Sequence, residues 1–99
     1  MVTRLKEDIL TRFLRYVQVD TMSDDRVVDS KRPSTDGQWN LLKMLASELT
    51  ELGVDDVHID EKGIVIAKIP SNIEREAPVV GFMAHVDTAD DVPGNGVKP

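Results

Sequence analysis

The sequence predicts an α/β fold: two helices packed on a small mixed sheet made of a hairpin and a buried central strand. Three observations predict it. Two segments carry apolar residues at helical spacing, from Thr3 to about Val17 and from Thr35 to Leu52. Between Val54 and Ile69, short alternating runs flank a glycine-containing turn. Finally, Pro78-Val79-Val80-Gly81-Phe82-Met83-Ala84 is an unbroken apolar run ending in His85-Val86-Asp87-Thr88. Such a run reads as a strand buried on both faces.

In the first helix Leu5, Ile9, Phe13 and Tyr16/Val17 recur on one side, and Leu10 and Leu14 widen the stripe. Arg4, Lys6, Glu7, Asp8, Arg12 and Arg15 take the wet side, so the helix is expected to pack on a sheet. Residues 18–34 read as a loop. Asp20, Asp24, Asp25 and Asp29 lack the ligand spacing and central glycine of an EF-hand, which makes a solvated acidic loop the better reading. Thr35-Asp36-Gly37-Gln38 fits a capping box, with Thr35 accepting from the Gln38 amide and Gln38 reaching back. Trp39, Leu42, Leu45/Ala46, Leu49 and Leu52 line one face of the second helix, Trp39 as a core anchor, and Gly53 supplies the stop.

In the hairpin, Val57-His58-Ile59-Asp60 alternates, Glu61-Lys62-Gly63 turns, and the chain returns through Ile64 to Ile69. His58 falls on the polar side and stands apart from other ligand candidates. Pro70 to Ala77 is a charged connection into the central strand. Pro78 suits that strand's first position because it has no N–H for the ladder. Residues two apart in a strand point the same way, so His85 and Asp87 are expected on one face at its carboxyl end. That end is where open α/β sheets bind ligands. Neutral imidazole is a common zinc ligand, and a carboxylate often fixes its tautomer. The bland alternative is a histidine that merely ends a strand beside a capping aspartate.

Composition excludes several classes. The net charge of −6 opposes nucleic-acid binding, which demands a basic face. No apolar run reaches membrane-span length. Charges interrupt the first residues before a signal peptide's apolar core could form. There is no cysteine, hence no disulfide framework and no cysteine zinc site. A soluble cytoplasmic protein is the default expectation.

Ala84-His85-Val86-Asp87-Thr88 resembles the first metal motif of a zinc metallopeptidase family that includes carboxypeptidase G and acetylornithine deacetylase. The likeness extends through Pro33-Ser34-Thr35-Asp36-Gly37-Gln38-Trp39, the helix up to Leu52-Gly53, and Asn95-Gly96-Val97-Lys98-Pro99. These stretches resemble the family's tripeptide aminopeptidases, with one departure at Asp90, where many have proline. The resemblance implies that His85 binds one of two zinc ions and that Asp87, the catalytic-site aspartate, orients the ligand shell. It implies that the other ligands, a bridging aspartate, a Glu-Glu pair, a further acidic residue and a distant histidine, lie beyond position 99.

On this reading residues 1–99 are the N-terminal portion of an incomplete zinc-peptidase catalytic domain. That portion is expected to be inactive alone, to hold no zinc by itself, and to self-associate through uncovered apolar surface. The intact enzyme's substrate would be a small peptide. Two alternatives stay open: a stand-alone α/β binding module, and a related deacylase or dipeptidase.

Overall fold

Residues 2–27 and 31–99 are described by a computed structural model; Asp29 of the acidic loop lies outside them. The elements run α1 (Val2–Tyr16), α2 (Gly37–Glu51), β1 (Asp56–Ile59) and β2 (Val65–Lys68).

Best formed is the α2–hairpin unit. At its C-terminus α2 closes with the bonds of a Schellman motif: the Gly53 amide donates to the Thr50 carbonyl and the Val54 amide to that of Leu49. Gly53 takes φ +94°, where a side chain would be strained. The chain then enters β1, which pairs antiparallel with β2 in the register Asp56↔Lys68 through Ile59↔Val65. Asp60 organises the turn, its Oδ1 accepting from the amides of Lys62 and Ile64, each at 2.9 Å. Val57 and Ile59 are half-buried while Asp56 and His58 are exposed, and α2 packs against the hairpin. Leu41 and Leu42 form the core, Leu42 with only 2% of its surface exposed. Trp39 is half-buried rather than fully enclosed.

The start of α2 departs from the expected capping box. Asp36 is already helical (φ −72°, ψ −24°) and makes no side-chain cap bond; its carboxylate lies 3.6 Å from Lys31 Nζ. A capping residue ordinarily has extended backbone. Gln38 does reach back, but to the Thr35 hydroxyl, which donates in turn to the Met22 carbonyl.

Two larger expectations are corrected. First, α1 is helical as its periodicity demands, but it does not pack on the sheet. None of its residues is buried, and Leu5, Ile9, Leu10 and Phe13 are all more than half exposed. It meets α2 through a polar contact instead, in which Arg15 and Tyr16 both engage the Glu48 carboxylate and Arg12 Nε approaches it at 3.9 Å.

Second, the buried central strand is not formed: among the described residues the sheet has two antiparallel strands, not a mixed set of three. Val79, Phe82 and Met83 are 98%, 96% and 100% exposed. The physical reason lies in what such a strand requires. A run apolar on both faces is stable only between flanking strands that pair its backbone and layers that cover both faces. Among the described residues no strand lies beside it. The molecule is correspondingly open, with a radius of gyration of 16.0 Å against about 13 Å for a compact chain of this length. Its accessible surface of 8469 Å² compares with about 5,600 Å² for a folded protein of this size.

Candidate metal-binding site

His85 and Asp87 meet, although not on a strand. His85 Nδ1 lies 3.0 Å from Asp87 Oδ1 and 2.9 Å from the Asp87 carbonyl oxygen. Both neighbours can only accept, so Nδ1 carries the proton and donates to them. In the neutral ring the lone pair then sits on Nε2, the nitrogen that Asp87 leaves free. A carboxylate holding one ring nitrogen while the other faces outward is the arrangement in which histidine binds zinc. The donor chemistry therefore fits. The His85 side chain is 85% exposed and that of Asp87 46%.

One side of the pair borders a groove of about 740 Å³ between α2 and the hairpin, walled by Leu42, Leu45 and Leu49 of α2 and by Val65 of β2. Among the described residues no three histidine, cysteine, aspartate or glutamate side chains converge to hold a metal ion. A catalytic zinc takes about three protein ligands plus water. His85 provides one.

What fixes the pair is a segment that hydrophobic periodicity could not single out. Residues 21–23 run beside Thr88 as an isolated parallel bridge, with the Thr88 amide donating to the Thr21 carbonyl (3.1 Å) and the Ser23 amide to the Thr88 carbonyl (2.9 Å). Ser23 Oγ adds a second bond to that carbonyl at 3.0 Å. Ser34 Oγ accepts from the Asp24 amide, while Thr35 Oγ1 donates to the Met22 carbonyl at 2.7 Å. Thr21 in this strap is buried, as is Gln38 at the start of α2. In the sequence only the density of hydroxyl side chains at 21–23 and 34–35 hints at it.

The acidic loop is tied internally. Arg26 donates to both carboxylate oxygens of Asp24 and holds that carboxyl below the usual range. Asp90 accepts from the Asp25 amide at 3.3 Å. Hydrogen bonding to the Asp90 carboxylate, and its like charge, push the Asp25 carboxyl up, while Asp90 as acceptor is lowered. Asp90, the one departure noted in the motif region, is thus engaged with the loop. His58 stands apart from the pair, its Nδ1 3.8 Å from Asp56 Oδ1.

Fold and site together give an α/β piece with an exposed histidine–carboxylate pair beside its helix–hairpin groove. No family model matches the chain. Curated proteins are more specific: peptidase T of Bacillus subtilis (strain 168) is 50% identical over 95 residues, and peptidase T of Geobacillus sp. (strain WCH70) 47% over 95. Peptidase T of Listeria monocytogenes serotype 4b (strain F2365) is 48% identical over 96. Each match covers 96% of the chain, which is peptidase T-like along nearly its whole length. The chain spans 23% of the length of these relatives. No helix among the described residues is long and apolar enough to cross a membrane.

Proposed function

We propose that the chain is the N-terminal part of a zinc-dependent tripeptide aminopeptidase of the peptidase T kind, and that it contributes the first metal ligand. The observation that carries this reading is the 44–50% identity to peptidase T sequences across 96% of the chain. Their shared name favours an aminopeptidase over the deacylase alternative. His85 would ligate one zinc through Nε2. Asp87 would hold the Nδ1 proton and so fix both tautomer and ring direction. Bound zinc would polarise the scissile carbonyl and acidify a water. The general base and remaining ligands would come from later sequence, as would the strands and helices that cover Val79 to Met83. The compartment is proposed to be the cytoplasm.

The test starts at the gene. Continuation of the reading frame beyond Pro99 into further Asp, Glu-Glu and His motifs is expected. The encoded protein should then release the N-terminal residue from tripeptides in a zinc-dependent manner, with loss of activity in His85→Ala. The 99-residue chain alone should show no turnover even with added zinc. A stop codon after Pro99, or tripeptide turnover by the isolated chain, would overturn the reading.

A further inference from the structure

We infer that Thr35, through the strap at residues 21–23, is a positioning residue for Asp87 and hence for His85. The inference rests on the role proposed above for that pair. It starts from one peptide group. The Asp87–Thr88 peptide is planar, so the direction of its N–H fixes that of its C=O. The N–H donates to the Thr21 carbonyl at 3.1 Å, and the C=O accepts from His85 Nδ1 at 2.9 Å. Whatever holds Thr21 in place therefore aims the carbonyl that orients the imidazole. The carboxylate on the same residue accepts from the same nitrogen at 3.0 Å.

The strap is held in turn by the start of α2. Met22 is bridged to Thr88, and its own carbonyl accepts from Thr35 Oγ1 at 2.7 Å. The Thr35 hydroxyl also accepts from Gln38 Nε2 at 3.0 Å, and Gln38 is only 6% exposed. One hydroxyl thus serves as donor and acceptor at once, a pairing that serine can reproduce and valine cannot. Two glycines allow the close approach: a Cβ on Gly37 would lie 2.2 Å from the Asp20 carbonyl oxygen, and one on Gly94 2.7 Å from Asp20 Oδ1. The motif around Thr35 makes no capping bond, and this relay gives its hydroxyl a purpose. Gln38 joins through its side chain, Ser34 through its bond from the Asp24 amide, and Ser23 through its bond to the Thr88 carbonyl.

The experiment compares the chain with Thr35→Val and Thr35→Ser, with no metal added. Hydrogen exchange at low protein concentration reads the Thr88 amide, with Val54 and Asp60, bonded inside the α2–hairpin unit, as references. Nitrogen NMR of the 15N-histidine-labelled chain, all three forms carrying Phe82→Asp and Met83→Asp to keep them monomeric, reads the His85 tautomer at about pH 8.5, above the usual histidine range, with His58 as an internal standard. Thr35→Val should speed Thr88 exchange by about tenfold and shift His85 away from the Nδ1–H form, while Thr35→Ser restores both. The references should stay within about twofold, since their bonds lie outside the relay.

The inference is overturned if Thr88 exchange is unchanged in Thr35→Val, or if His85 keeps its tautomer when Thr88 is freed. It is equally overturned if serine fails to rescue, or if Val54 and Asp60 accelerate as much as Thr88, which would mark Thr35 as a general stability residue. Absence of zinc-dependent peptidase activity in the longer gene product would instead sink the functional reading while leaving these metal-free results intact.

Discussion

Residues 37–68 and residues 70–87 are both rich in apolar side chains, yet one stretch folds on itself and the other lies open. The difference is in what each pattern asks of its surroundings. An amphipathic helix followed by an alternating hairpin needs one partner surface, and each supplies it to the other: Leu42 is buried where α2 meets β1 and β2. A run apolar on both faces needs flanking strands and two covering layers, and residues 37–68 provide neither. Hydrophobic pattern thus states a demand for burial, and closure depends on whether the chain at hand can meet it.

The largest effect should come from the open side. Val79, Val80, Phe82 and Met83, together with the apolar face of α1, expose a surface suited to association. The net charge of −6 resists weakly at physiological salt, where screening sets in within about 8 Å. We propose that the isolated chain self-associates at micromolar concentration, and that Phe82→Asp with Met83→Asp restores a monomer. Sedimentation decides it: a wild-type monomer across the concentration range would break the comparison at its root.

Next in size, Leu42→Ala should destabilise the α2–hairpin unit by about 2–4 kcal/mol, whereas Phe82→Ala should leave the monomer's unfolding unchanged within about 0.5 kcal/mol. Denaturant titration at low concentration reads both. Equal costs at the two positions would show that residue 82 is packed after all. Gly53→Ala should cost about 1 kcal/mol, because alanine must adopt φ +94° there. The same titration measures it, and no loss would mean that the Schellman turn rearranges freely.

The smallest effect is a pH dependence at the Asp25–Asp90 contact. Asp25 is raised, so its stabilising contribution is present at acid pH and lost as pH rises through its folded value. Asp90 is lowered, so its contribution is lost as pH falls through its own. The contact is therefore tightest near the ordinary carboxylate value of about 3.9 and loosens toward neutrality. Exchange of the Asp25 amide, corrected for its intrinsic rate, should be slower at pH 4 than at pH 7. Asp90→Asn should remove the difference, and a difference surviving in that variant would place its origin elsewhere.

Local elements were legible wherever the signal was local. The period of α1, the Gly53 stop and the hairpin with its turn before Ile64 all rest on spacing over a few residues, whereas His85 and Asp87 meet without the strand from which their common face was argued. The capping box failed because Thr35 is engaged by Met22, thirteen positions away in sequence, where no short motif could register it. The central strand failed for the opposite reason. Its composition calls for burial on both faces, but the presence of partners is a property of the whole chain. The strap at 21–23 was illegible because backbone carbonyls and hydroxyls carry its bonds, and neither leaves an apolar period.

The Ser23–Thr88 contact joins residues 65 apart, and that span bears on the order of assembly. The α2–hairpin unit involves only neighbouring stretches and can form early, as local contacts do. Closing a loop of about 65 residues costs about 4 kcal/mol of chain entropy, against roughly 1 kcal/mol for each hydrogen bond that rewards it. The bridge becomes favourable only once α2 has presented Ser34 and Thr35, which shortens the free loop and adds bonds to the same strap. On a ribosome, the histidine–aspartate pair would therefore be aligned after the α2–hairpin unit, once Thr88 has emerged and found a strap already docked.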